Sequence, residues 1–268
     1  MNRRELIAGT AALLATGITA PAGAAAGDDP AGYLGATGYI DSDHPRIAAR
    51  AAALTAGLDD DTEKALALFA FVRDGVPFGF ARGFWDRKAS DVLGDGRGYC
   101  VTKSTLFVAL LRAAGLPARQ MFVDIHAGVL AGIIDPGTAY VDHAYVEVFL
   151  RGGWRATDAY IVDRALFAAA QPKLRAEGGL MGYGVHATGT DRWDGRAPAF
   201  SQYNIVDPRP LGTRRFGVYR DVGDFYRRAE RPWNRLNPVL RLGFGILAQG
   251  ANRNADRLRQ RGGLAKAA

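Results

Sequence analysis

Residues 94–119 read GDGRGYCVTKSTLFVALLRAAGLPAR. The stretch holds the only cysteine of the 268-residue chain, Cys100, placed just after Gly94, Gly96 and Gly98. Leu106, Phe107, Val108, Leu110 and Leu111 follow in a run apolar on nearly all sides, which predicts a central, rigid helix. Gly115 and Pro117 supply its stop signal. A thiol that opens a helix lies at the positive end of the peptide dipoles. That position favours the thiolate, which is the nucleophilic form. Lys103, one turn on, is expected to add to the effect, and the glycine-rich turn to let a substrate backbone approach the sulfur. The pattern describes an activated nucleophile on a fixed support. A lone cysteine is also a common packing residue, so the choice turns on a histidine partner.

His143 opens the segment HAYVEV (143–148), and GGWRATD (152–158) follows. Along the first segment His143, Tyr145, Glu147 and Phe149 alternate with Ala144, Val146, Val148 and Leu150, a period-2 pattern with the second set toward the core. Residues 151–153, Arg-Gly-Gly, predict a hairpin turn. GYC, RAAGLPAR, HAYVEV and GGWRATD, in that order, resemble the signature segments of the transglutaminase-like superfamily. TEKALALFAFVRDGVPFGF (62–80) is similar to that family's approach helix, and the resemblance spans about residues 33–163.

The resemblance implies an α+β fold with a papain-like or transglutaminase-like core, its central cysteine-bearing helix packed on an antiparallel sheet. It implies Cys100 as nucleophile, His143 as general base and Asp158 as the carboxylate that orients the imidazole. An ideal hairpin register brings residues 161–163 opposite His143 instead, so Asp163 stands as the substitute unless a bulge or strong twist intervenes. The oxyanion needs donors. The backbone N–H of Cys100 is one, and a papain-type glutamine is absent because the first Gln is Gln120. The family's use of an upstream aromatic donor makes Trp85 the candidate, with simple aromatic packing as the other reading. The implied reaction is acyl transfer through a Cys thioester on peptide or isopeptide amides of a peptide or protein substrate. Hydrolysis by a peptidase or amidase is the preferred outcome. Transamidation of Gln to amines uses the same residues, and a non-catalytic envelope-binding protein of the same fold is the remaining alternative.

A single cysteine forbids an intramolecular disulfide and any metal site built on cysteines. The four histidines show no H-x-x-x-H or H-E-x-x-H spacing, and no D-x-D-x-D-G loop occurs, so neither zinc nor calcium is expected and no cofactor is called for. Residues 1–26 read as a twin-arginine export signal. Arg3-Arg4 precede a mild apolar region, and A-x-A cleavage sites follow at 22–24 and 24–26. Periplasmic or extracellular residence is therefore expected.

The rest divides into a transglutaminase-like domain, 27–207, and a basic, partly helical extension, 208–268. From Arg209 onward there are 14 Lys+Arg against 4 Asp+Glu, whereas the preceding chain has 20 against 23, so the net +7 comes from the C-terminal end. That extension is expected either to be a solvated basic face or to touch anionic lipids or envelope polymers. Export and the lack of a recognition motif argue against nucleic acid.

Overall fold

The computed structural model describes residues 29–81, 83, 85–202, 211–229 and 238–264. The expected export signal at 1–26 and the expected boundary at 207/208 both lie outside them. Four helices come first: α1 (Pro45–Thr55), α2 (Asp61–Ala70), α3 (Ala89–Asp95) and α4 (Cys100–Ala113). Asp60 begins α2 by accepting from the N–H groups of Thr62 (2.8 Å) and Glu63 (3.0 Å). In α4 every side chain from Cys100 to Arg112 is buried, as the all-round apolar run predicts. The helix ends in a Schellman motif. Gly115 takes φ +79°, its N–H bonds the Arg112 carbonyl, and the Leu116 N–H bonds that of Leu111.

Strands β1 (Ala118–His126), β2 (Tyr140–Leu150) and β3 (Gly153–Thr157) follow. Arg151 (φ +52°) and Gly152 (φ +73°) make a two-residue loop of the I′ kind, the turn whose twist suits a tight hairpin. Helix α5 (Arg164–Ala176) follows, then a small hairpin, β4 (Met181–Gly182) with β5 (Val185–His186). Helix α5 runs through Pro172, a residue that ordinarily ends or kinks a helix. Burial of Phe167, Ala170 and Leu174 holds the helix together, and Gln171 spends its amide on the carbonyls of His186 and Gly189.

Beyond residue 208 the chain contributes to the same core. Strand β6 (Leu211–Tyr219) pairs with β1, completing an antiparallel sheet of order β3-β2-β1-β6. Helix α6 (Val222–Arg228) buries Phe225 and Tyr226, with Phe225 stacked on Phe122 at 4.0 Å. Helix α7 (Pro238–Leu264) packs Ala248, Ala251, Ala255 and Leu258 into the main core. α4 lies against β1 and β2, so its first turn comes beside the start of β2, where His143 sits.

Candidate active site

Cys100 is the first residue of α4, seated by Tyr99, whose N–H bonds Thr102 Oγ1 and whose carbonyl accepts from the Lys103 N–H. The glycines before it serve the protein's own packing. Gly96 (φ +63°) closes α3 in the left-handed region. A side chain on Gly98 would meet Lys103 Cγ and Thr102 Oγ1 at 2.8 Å, which is closer than a Cβ atom tolerates. Gly98 thus has a structural reason of its own, since its backbone must press onto α4.

That backbone is bonded on its other side. The Gly79 N–H reaches the Gly98 carbonyl (2.9 Å), and the Gly98 N–H reaches Pro77 O (3.2 Å). Helix α7 grips the same strip from outside. The Asn252 amide bonds both the N–H and the carbonyl of Phe80 at 2.8 Å, and Arg97 pairs with Asp256. Arg259 bonds Phe78 O (2.9 Å) and the Asp163 carboxylate (2.7 Å).

Cys100 is 9 % exposed, and its Sγ lies 3.8 Å from the Asp142 carbonyl oxygen. The neighbouring His143 and Asp158 are both fully buried, with His143 Nε2 and Asp158 Oδ2 3.0 Å apart. Burial alone would depress the His143 pKa. Hydrogen bonding to Asp158 and to Cys100 outweighs it and raises the value to about 9, so the imidazole keeps its proton at neutral pH. Asp158 is itself fixed, because its Oδ1 accepts from the Ser201 backbone N–H and hydroxyl.

No bulge brings Asp158 to His143. β2 and β3 pair without a shift, from Leu150↔Gly153 to Val146↔Thr157. β3 simply stops at Thr157. Asp158 then turns out of the sheet, with its N–H on the Ala199 carbonyl and its own carbonyl accepting from Ile161 N–H. The idealised register fails because it assumes a strand that continues. Asp163 is committed elsewhere: it caps α5 through the Leu166 N–H, bonds the Phe78 N–H and pairs with Arg259. Burial would raise its carboxyl, but Arg259 overrides this and holds it below the usual carboxylate value.

Lys103 does not support the thiol as expected. Its Nζ bonds the carbonyls of Arg73 (3.2 Å) and Ile161 (2.9 Å), and burial lowers its pKa to about 7. Trp85 is half-buried, its ring stacked on Tyr226 at 4.5 Å.

Sequence reasoning missed three contributors. Tyr226 hydrogen-bonds Asp142; its hydroxyl is pushed well above its ordinary pKa by burial first, then by the charges of Asp142, Tyr99 and Cys100. Ser104 ties the two halves of the site: its hydroxyl contacts Cys100 O (2.6 Å), Ala144 O (3.2 Å) and Tyr160 OH (2.6 Å). Gln120 on β1 donates to the Val101 carbonyl at 3.1 Å. Neither Ser104, between Lys103 and Thr105, nor Gln120, after Arg119, stands out as a polar break in the sequence. Among the described residues, no cluster of three or more His, Cys, Asp or Glu is arranged to hold a metal ion.

A family model, that of the transglutaminase-like superfamily, matches residues 48–159 and so includes Cys100, His143 and Asp158. No curated protein matches significantly. Among solved structures, a provisionally assigned cysteine protease from Cytophaga hutchinsonii is 23% identical, with TM-score 0.39, over 48% of this chain and 40% of that one. A provisionally assigned protease from Parabacteroides distasonis is 16% identical (TM-score 0.32; 47% and 24% covered). The periplasmic domain of TgpA from Pseudomonas aeruginosa, bound to ethylmercury, is 25% identical (TM-score 0.34; 44% and 45% covered). The chain thus spans less than half the length of each. Residues 48–159 thus match the core of the transglutaminase-like superfamily, and the central helix packed on an antiparallel sheet is consistent with that match.

Proposed function

We propose that the protein is a thiol hydrolase acting on peptide or isopeptide amide bonds, with Cys100 as nucleophile, His143 as proton carrier and Asp158 as orienting carboxylate. The observation that carries this reading is the fully buried His143–Asp158 contact of 3.0 Å beside a thiol at a helix start. A hydrogen-bonded carboxylate that deeply buried holds one ring orientation and leaves the other ring nitrogen to the sulfur. The His143 imidazolium stands beside Cys100 as the proton carrier the attacking sulfur requires. The thiolate attacks the amide carbon, and the Cys100 N–H stabilises the oxyanion, with the Trp85 indole N–H as proposed second donor. His143 gives its proton to the amine nitrogen, the C–N bond breaks, and a thioester remains. Water, losing a proton to His143, attacks that thioester and releases the acid.

An amine in place of water would make the same residues a transglutaminase. Fluorogenic peptide amides, assayed with and without hydroxylamine, separate the two by whether the product is acid or hydroxamate. The first test is the iodoacetamide rate at Cys100 against pH, in wild type and His143→Ala. A wild-type rate already high below the free-thiol pKa of about 8.5, lost in the variant, supports the pair. A rate that rises only near that pKa in both proteins would overturn it. Export by the twin-arginine route belongs to the same proposal; N-terminal sequencing of the mature protein starting after residue 24 or 26 checks it.

A further inference from the structure

Helix α7 has an inner face packed on the core and an outer face that is exposed among the described residues. Ala248, Ala251, Ala255 and Leu258 point inward. Ile246, on the outer side, is 65% exposed; Leu247, about 100° round the helix toward the Leu258 side, is 56% exposed; and Arg253, Arg257 and Arg261 are exposed too. At about 100° per residue, Ile246, Arg253 and Arg257 fall within about 40° of one another, with Arg261 next to them. They form one line roughly 22 Å long at 1.5 Å per residue. None of the three arginines has an ion pair among the described residues, and the helix's acid, Asp256, is turned to Arg97 and Arg259.

Like charges spaced four apart repel, and exposed aliphatic side chains gain nothing from water. Both costs are relieved by one kind of surface: acyl chains to take Ile246 and Leu247, anionic headgroups to take the arginines. A soluble polyanion would answer only the second. We infer that the outer face of α7 docks on an anionic lipid bilayer, the helix lying in the interface rather than crossing it. No helix among the described residues is long and apolar enough to cross a membrane. The inference rests on the helix surface and does not depend on the catalytic reading.

The test is co-sedimentation of the full chain with phosphatidylglycerol–phosphatidylcholine vesicles, against phosphatidylcholine alone. Wild type should bind the anionic vesicles. Replacing Arg253, Arg257 and Arg261 together by Gln should weaken binding about 100-fold, at roughly a factor of five per arginine. I246S/L247S should weaken it as well and make the remainder fully salt-labile. The altered side chains are exposed, so an unchanged melting midpoint serves as the folding control. Ile246→Trp gives a second readout that removes no arginine: its emission should shift blue on anionic vesicles only. Equal binding to neutral vesicles, an unaffected triple variant or an unshifted tryptophan overturns the proposal. So does a binding loss confined to the arginine variant and competed away by inorganic polyphosphate, which would identify a soluble polyanion as the partner.

Discussion

Asn252→Ala tests whether the helix outside the family core governs the nucleophile's seat. The side-chain amide bonds both backbone groups of Phe80, each at 2.8 Å, across 172 residues of sequence. Gly79 lets it in, since a Cβ there would stand 2.7 Å from Asn252 Oδ1. Truncation loses two hydrogen bonds at about 1 kcal/mol each and strands two backbone groups of a residue that is only 9% exposed. The expected cost is roughly 2–4 kcal/mol. The loss should also reach Cys100, because Phe80 belongs to the strip that bonds Gly98. Urea denaturation reads the first effect, and the iodoacetamide rate at pH 7 reads the second. Asn252→Asp keeps the acceptor for the Phe80 N–H but sets a carboxylate against the Phe80 carbonyl, so it should not rescue the site. A cost below about 0.5 kcal/mol, the range of ordinary surface substitutions, with an unaltered alkylation rate, would refute the reasoning and reduce α7 to a cover.

Three further outcomes are expected. For amide hydrolysis, kcat/KM should fall as pH rises through about 9, where His143 loses the proton that the leaving amine needs. Asp158→Asn should move that fall to lower pH, since burial then acts with less opposition; an unmoved limb counts against the pairing. Lys103 is held near pKa 7 when folded and near 10.5 when not, so the unfolded chain binds more protons between these values and stability should rise with pH across that window. Lys103→Met should flatten the rise, and equal slopes from urea titrations at pH 7 and 9.5 would contradict the assignment. Ser104→Ala removes a buried hydroxyl that joins Cys100 O, Ala144 O and Tyr160, at about 1–3 kcal/mol. It should lower kcat more than it alters KM, and a change in KM alone would sink the positioning role.

The helix that begins at Cys100 was legible because an all-round apolar run, a preceding turn and a Gly-Pro stop are local signals. So were the alternating strand and the hairpin at Arg151-Gly152. Neither Asp158's path to His143 nor the fate of Asp163 was legible from spacing alone. The first depends on where β3 stops, and that is set by the Asp158 N–H bonding Ala199 O, a contact across 41 residues. The second depends on Arg259, a further 96 residues on. Lys103 misled because its sequence position gives its face but not its reach: the long stem carries Nζ to Ile161 O. The basic count after residue 208 pointed to an extension, and composition alone does not show that β6 pairs with β1 or that Phe225 and Tyr226, next to Arg227 and Arg228, are buried.

The grip of Asn252 and Arg259 on Phe78 and Phe80 has a consequence in time. A ribosome adding about 5–20 residues per second needs roughly 10–30 seconds to travel from Phe80 to Asn252. From the synthesis of Cys100 onward, most of that interval, the cysteine exists without the bracket that holds its turn. On the proposed function the thiol is therefore born unarmed, and the nucleophile's turn is completed only when synthesis has run well past Cys100.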